Sequence, residues 1–131
     1  MRDPRPGIDW SRQRLACRVA YASWMGSPEW LDWRRRWRER WVCRHDGEPA
    51  CVVCGKTWTL TNGDLHHRSY DRLGGERWFD VIPLCRRCHD ILHVIYESNP
   101  AWRRLGRARA TDLIVAHLHR AALHQSPPQV D

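Results

Sequence analysis

Two pairs of cysteines have the spacing that a tetrahedral metal site requires. Cys51 and Cys54 form one Cys-x-x-Cys unit, Cys85 and Cys88 form a second, and 30 residues separate the two. Each such turn presents two thiolates to one ion, and two turns complete the coordination of a structural zinc. A single unit could be redox-active, but two matched units in a short basic chain favour Zn²⁺. We therefore expect a zinc that stabilises the fold and does not catalyse.

Four histidines lie close to these cysteines in the sequence. His66 and His67 are adjacent in a predicted strand, while His89 and His93 are four residues apart in a predicted helix. Residues four apart share a helix face, so His89 and His93 can chelate one divalent cation. Adjacent strand residues point to opposite faces, so we expect a site that uses both His66 and His67 to lie at the strand's end. A lone histidine is usually a surface or core residue, but four around one zinc unit favour a second metal site.

The elements that must position these residues follow from turn and capping signals. A zinc knuckle followed by a strand is predicted for residues 51–60, with a hairpin turn at Asn62-Gly63 and a return strand over residues 64–69. Residues 83–85 are predicted to form the second knuckle, and residues 88–97 a short helix. The sequence thus predicts a small central unit over residues 46–98.

Helices are predicted on both sides of this unit. The first spans about residues 9–22, and a second begins at Pro28, after the N-cap Ser27, and continues to Cys43. A last helix is predicted for residues 111–124. The chain is therefore divided into an Arg- and Trp-rich helical region, the central unit, and a C-terminal helix with its tail, with the bounds 1–45, 46–98 and 99–131.

One face of the second helix carries a row of tryptophans. Trp30, Trp33, Trp37 and Trp41 recur at spacings of three and four residues, so they share a side. We interpret this row as core, with stacking on nucleic-acid bases as the alternative. Arginines fill much of the remaining surface of this helix, where they could grip phosphates or simply be solvated.

Composition favours an anionic partner. The chain of 131 residues has a net charge of +7, and 21 of its 22 basic residues are Arg. Arg recognises phosphate oxygens through a planar fork of donors, which favours nucleic acid, although codon bias in a GC-rich genome also inflates Arg. No apolar stretch is long enough for a membrane span and the first residues lack a secretion signal's apolar core, so we expect a soluble intracellular protein without a membrane partner.

The central unit resembles the HNH endonucleases. The similarity covers residues 51–93 and is carried by Cys51-Val52-Val53-Cys54-Gly55, by Leu65-His66-His67, by the segment from Asp80 to His89, and by His93. The stretch 66–76 is similar to a subgroup common in phages and prophages. The resemblance implies an α+β fold whose core is a β-hairpin packed on a helix around a metal, the ββα-metal unit.

The resemblance also implies a reaction and its residues. DNA would be cut by phosphodiester hydrolysis, with His67 as the general base and with a divalent cation on His66, His89 and His93. Asp80 occupies the place of the family's middle Asn, which is thought to pin the loop that holds the base. The cation would be Mg²⁺, Mn²⁺, Ni²⁺ or Zn²⁺, and imidazole ligands favour the transition metals over Mg²⁺.

Six arginines are candidate DNA contacts, because they flank the motif or lie on the second helix: Arg68, Arg72, Arg86, Arg87, Arg34 and Arg38. Two alternatives remain open. The first is a zinc-stapled DNA-binding module with a weak or inactive site. The second is an accessory nuclease that works beside a larger phage protein such as terminase, in the cytoplasm of a bacterial host.

Overall fold

Five helices surround a two-stranded antiparallel sheet. The computed structural model describes the backbone of residues 10–125 and the side chains of residues 18–124. The elements in chain order are α1 (Trp10–Met25), α2 (Pro28–His45), β1 (Gly63–His67), β2 (Val81–Cys85), α3 (Arg86–Ser98), α4 (Pro100–Leu105) and α5 (Arg107–Gln125). The prediction of an α+β fold is confirmed. None of the described helices is both long and apolar enough to cross a bilayer.

Helix α2 begins at the predicted residue for the predicted reason. The Ser27 hydroxyl accepts the backbone N–H of Trp30 at 3.1 Å, and Pro28 occupies the first helical position. The tryptophan row faces inward, with Trp30 and Trp37 buried together with Trp58, Leu65 and Val81 in one apolar cluster. The interpretation of this row as core is therefore confirmed for Trp30 and Trp37, and Trp33 and Trp41 are partly buried against the same cluster.

The sheet differs from the predicted hairpin. Strand β1 pairs with β2, in a register that runs from Gly63 opposite Cys85 to His67 opposite Val81. The predicted strand within residues 51–60 is wrong, because these residues use their backbone groups in turns. Gly55 N–H donates to the Cys51 carbonyl at 2.9 Å, and Gly63 N–H donates to the Thr59 carbonyl at 2.8 Å. Asn62-Gly63 therefore ends a helical-type turn, and the return strand has a partner later in the chain.

A second apolar cluster lies on the opposite side of the sheet. It joins Leu84 of β2, Leu92 of α3 and Ile114 of α5 to the buried cysteines Cys51 and Cys88. This cluster fixes α3 and α5 against the hairpin, and so determines which face of β1 the two helices meet.

Helix α4 was absent from the predicted elements. The Asn99 side chain accepts the Ala101 N–H at 2.9 Å, and Pro100 stands at the first helical position. The sequence predicts that the preceding helix ends at residue 97, and an N-cap residue followed by Pro is the signal for a new helix start. Gly106, at φ +89°, separates α4 from α5, which begins at Arg107, before the predicted residue 111.

Gly63 allows the start of β1 to lie against the buried indole of Trp58. A Cβ atom at this position would lie 2.2 Å from Trp58 Nε1, which donates to the Asp64 carbonyl. We expect Gly63→Ala to reduce the free energy of unfolding by about 1–3 kcal/mol, as overpacking does. Chemical denaturation measures this loss. Gly47→Ala is the control, because the nearest atom to its added Cβ is 4.0 Å away. Equal stability of the two variants would contradict this account.

Candidate functional site

The four predicted zinc ligands come together. The sulfur atoms of Cys51, Cys54, Cys85 and Cys88 all lie within 4.8 Å of one another, close enough to surround one cation. The knuckle contributes the first two, the end of β2 contributes the third, and the first turn of α3 contributes the fourth. This cluster could hold a structural metal such as zinc, and it joins the 51–56 segment to β2 and α3.

The surroundings of these sulfurs fit a cation. Burial raises the pKa of Cys88, so its sulfur keeps a proton at neutral pH unless a cation displaces it. Burial would also raise the pKa of Cys51, but backbone N–H groups of residues 53, 54 and 85 outweigh it and lower that pKa. N–H groups that point at a sulfur stabilise thiolate, which is the form that binds metal.

Three of the four predicted histidines form a second cluster. His66 Nδ1 lies 3.2 Å from His89 Nε2, and His93 Nε2 lies 2.9 Å from the same atom. One ring nitrogen from each residue therefore faces a common point. Strand β1 supplies His66, and one face of α3 supplies the other two, as their spacing predicts.

The outer ring nitrogens of this cluster are also engaged. His66 Nε2 lies 3.0 Å from the buried Thr111 hydroxyl, and His89 Nδ1 lies 3.0 Å from an Asp64 carboxylate oxygen. Such outer partners fix the tautomer and aim the inner nitrogen at a metal. Burial lowers the pKa of His66 to about 2, so this imidazole is neutral and available as a ligand. The residues present therefore fit a divalent cation held by three imidazoles.

Thr111 and Asp64 were not among the predicted site residues. Asp64 could have been found, because it precedes His66 by two residues and strand side chains two apart share a face. Thr111 has no such signal, since it is 45 residues away in the sequence and meets His66 only through the packing of α5.

His67 lies on the other face of β1, away from the histidine cluster. Its Nε2 atom is 2.8 Å from Glu76 Oε2, and its ring stacks on Trp30 with centroids 5.1 Å apart. Tyr70 lies at 5.4 Å and Tyr21 at 6.2 Å, so the side chain is only 1% exposed. The structure thus brings His66, His89 and His93 together but not His67. The expectation of one site at the strand's end that uses both His66 and His67 is not met, because β1 stays paired in register through His67 and its alternation sends the two rings to opposite faces.

Glu76 is another residue to which the sequence alone assigns no role. Its side chain is fully buried, and Oε2 accepts from both His67 and the Trp24 indole, the latter at 2.7 Å. Oε1 accepts the Gly74 N–H at 2.8 Å. Three donors therefore converge on this buried carboxylate. Burial lowers the pKa of His67, while Glu76 opposes that shift.

Asp80 belongs to neither cluster and fixes the loop after β1. Its carboxylate accepts from Arg72 Nε and from the Arg77 N–H, each at 2.8 Å, and its carbonyl accepts the Arg68 N–H at 2.7 Å. The hydrogen bond from Arg72 lowers the pKa of Asp80. An acceptor therefore suffices to pin this loop, and Asp80 contacts none of the histidines through its side-chain hydrogen bonds.

Most of the six candidate DNA-binding arginines have partners inside the protein. Arg68 pairs with Asp112, Arg72 with Asp80, and Arg38 with Glu48, while Arg34 donates to the carbonyls of Leu60 and Gly63. Arg86 donates to the Thr61 carbonyl at 3.1 Å yet stays 67% exposed. Arg87 is exposed, and no described residue forms an ion pair or hydrogen bond with it. Arg86 and Arg87 therefore have the most free donors.

Comparison with known proteins finds no relative of this chain. No protein-family model matches the sequence, and no curated protein or solved structure is significantly similar to it. The function must therefore be argued from the geometry of the two clusters and their surroundings.

The cysteine cluster can be tested with one substitution. We expect Cys88→Ser to lose the zinc bound there and to melt at least about 10 °C lower, because binding of a structural zinc contributes directly to folding. Metal analysis by mass spectrometry and thermal unfolding measure both effects. Cys43→Ser is the matched control, since Cys43 is exposed on α2 outside the cluster. Unchanged zinc content in Cys88→Ser would contradict the assignment.

The histidine cluster can be tested through its outer partner. Thr111→Val keeps the side-chain shape but removes the hydroxyl beside His66, so we expect Ni²⁺ or Co²⁺ to bind about tenfold more weakly. Calorimetric titration of protein already loaded with zinc measures this affinity. Thr57→Val provides the control, because Thr57 is exposed and is not among the hydrogen-bond partners of the three histidines. Identical affinities for the two variants would argue against a metal at this cluster.

Proposed function

We propose that this protein is a metal-dependent DNA endonuclease of the HNH type. The observation that carries the proposal is the three-histidine cluster, in which a hairpin and the following helix aim one nitrogen each from His66, His89 and His93 at a common point. The element order β1, β2 and α3 fits the ββα-metal unit of that family. The cysteine cluster at the hairpin's other end fits its structural zinc.

The three imidazoles would hold a divalent cation and leave its full charge available. When bound, the cation would neutralise charge that develops on the phosphate oxygens during hydrolysis. Asp64 and Thr111 keep the rings of His89 and His66 oriented for this purpose. Imidazole donors suit Mn²⁺, Ni²⁺, Co²⁺ and Zn²⁺ better than Mg²⁺, which prefers oxygen.

His67 would accept the proton of the attacking water. Glu76 would accept a hydrogen bond from Nε2, which would place the ring's proton there and leave the lone pair of Nδ1 free. Because burial lowers the pKa of His67, the neutral form that can act as a base is present at pH 7. Glu76 would be a positioning residue, since it touches His67 and not the substrate.

The burial of His67 sets a condition on this proposal. Trp30 covers one side of the ring, Tyr70 and Tyr21 lie around it, and the three-histidine cluster lies on the other face of β1. His67 could therefore act on water beside a phosphate at that cation only after its cover and the end of β1 rearrange. Trp30 is held in the core of α2, whereas Tyr70 belongs to the loop after β1 and is 39% exposed. We infer that DNA binding displaces the Tyr70 loop or α1 from His67.

The same burial favours a second candidate function. Because the proposed general base His67 is covered, the chain could be an accessory nuclease that becomes active only beside a larger protein, such as a phage terminase. If the cover never opens, the chain would act as a zinc-stapled DNA-binding module. Cleavage by the purified chain alone would exclude both of these cases. Cleavage only after the larger protein is added would identify the accessory nuclease, and no cleavage under either condition would identify the binding module.

A plasmid-nicking assay tests the proposed function. We expect the zinc-loaded protein to convert supercoiled DNA to the open-circular form when Mn²⁺ or Ni²⁺ is added. His67→Ala should reduce the rate by at least about 100-fold, the scale of general-base catalysis, while zinc content and DNA binding stay close to wild type. His117→Ala serves as the control, because His117 is exposed on α5. Full cleavage by His67→Ala would overturn the assignment of the base.

A further inference from the structure

A cleft opens beside the histidine cluster. Its volume is about 340 Å³, and both His89 and Trp30 line it. It lies between the start of α2, the first residues of β1 and the first turn of α3. His89 is both a wall of the cleft and a member of the candidate cation site, so a molecule in the cleft would lie next to that cation.

The charges around this cleft favour an anion. Arg34 and Arg86 line it together with a single carboxylate, Asp64. Asp64 is engaged by His89 Nδ1 at 3.0 Å, and Arg86 Nε is 3.8 Å from the same carboxylate. A guanidinium has five N–H donors, and Arg86 uses one of them on the Thr61 carbonyl. Arg34 is half-buried and uses Nη2 on two backbone carbonyls, whereas Arg86 is 67% exposed, so Arg86 is the more accessible donor for a phosphate.

Part of the remaining lining is apolar. Met25, Leu60, Leu65 and Trp30 contribute to it, beside Thr61 and Gly63. Trp30 itself offers no free ring face, because Trp33 stacks on it at 5.3 Å and His67 at 5.1 Å. The cleft thus combines the accessible guanidinium of Arg86 with an apolar wall. These two features match the phosphate and the base of one nucleotide.

Size distinguishes the states of DNA that could enter. A volume of about 340 Å³ lies at the lower end of small-molecule sites, roughly 300–1,000 Å³, and is too small for two paired strands. An unpaired or flipped-out nucleotide fits such a space, as in enzymes that take a base out of the helix.

We propose that this cleft binds one unpaired nucleotide of the DNA strand, with its phosphate on Arg86 and its base against Met25 and Leu60. This inference rests on the proposed endonuclease function and adds a substrate class to it. The nuclease would prefer DNA that contains a bulge, a gap or a single-stranded stretch over fully paired DNA.

Competition between two DNA probes tests the preference. Fluorescence anisotropy would compare a fluorescein-labelled 16-base-pair duplex with the same duplex carrying one unpaired nucleotide, on zinc-loaded His67→Ala protein to prevent cleavage. We expect the bulged probe to bind about tenfold more tightly, the scale of one base held by a protein.

Two neighbouring arginines provide the matched comparison. Arg86→Ala should bring the ratio of the two affinities close to one, because it removes the cleft's free phosphate donor. Arg87→Ala should weaken both probes equally and leave the ratio unchanged, since Arg87 does not line the cleft. Thr61→Trp, at an exposed position on the cleft wall, should also abolish the preference by filling the space.

Each outcome bears on a different proposal. If Arg86→Ala and Thr61→Trp bind the two probes with equal affinity while Arg87→Ala keeps the preference for the bulged probe, the assignment of the cleft as a nucleotide site is supported. Equal affinity of the starting protein for both probes, or an unchanged ratio in Arg86→Ala, overturns the cleft assignment and leaves the endonuclease proposal standing. Failure to bind either probe overturns both proposals.

Discussion

The meeting of four sulfur atoms is the constraint on which the rest of this small fold depends. Only two strands of five residues each form the sheet, and an isolated hairpin of this size is marginal in water. The cysteine cluster joins the 51–56 segment, the end of β2 and the first turn of α3 at one point. A cation there would fix the hairpin on α3, and so the distance between His66 on the strand and the two histidines on the helix.

Alternation along β1 then distributes the chemistry between two faces. The side chains of His66 and Asp64 point toward α3 and α5, where they contact Thr111 and His89. The side chain of His67 points to the other face, toward the tryptophan cluster and Glu76. A one-residue change of register would exchange these environments completely. The buried partners on both faces, a hydroxyl on one and a carboxylate on the other, therefore also act as determinants of the register.

The sequence predicted the parts whose signals are local. Cys-x-x-Cys pairs, the His89–His93 spacing and the Ser27-Pro28 helix start each involve residues within four positions, and the structure contains all of them. Sequence patterns gave wrong or missing predictions where the structure depends on contacts between residues far apart in the chain. No strand forms in residues 51–60, because their backbone groups make the hydrogen bonds of the knuckle and its turns instead. The roles of Glu76 and Thr111, and the partners of most arginines, depend on tertiary packing that no local pattern predicts. The burial of His67 likewise results from α1 and α2, far away in the chain.

Trp30 has a consequence beyond its place in the core. One indole stacks on the ring of His67 and also lines the 340 Å³ cleft, which His89 lines as well. Trp30 is therefore a wall that the cleft and the surroundings of His67 share. A change of side chain at this position would alter the shape of the cleft and the packing of His67 together, so the two cannot vary independently in sequence.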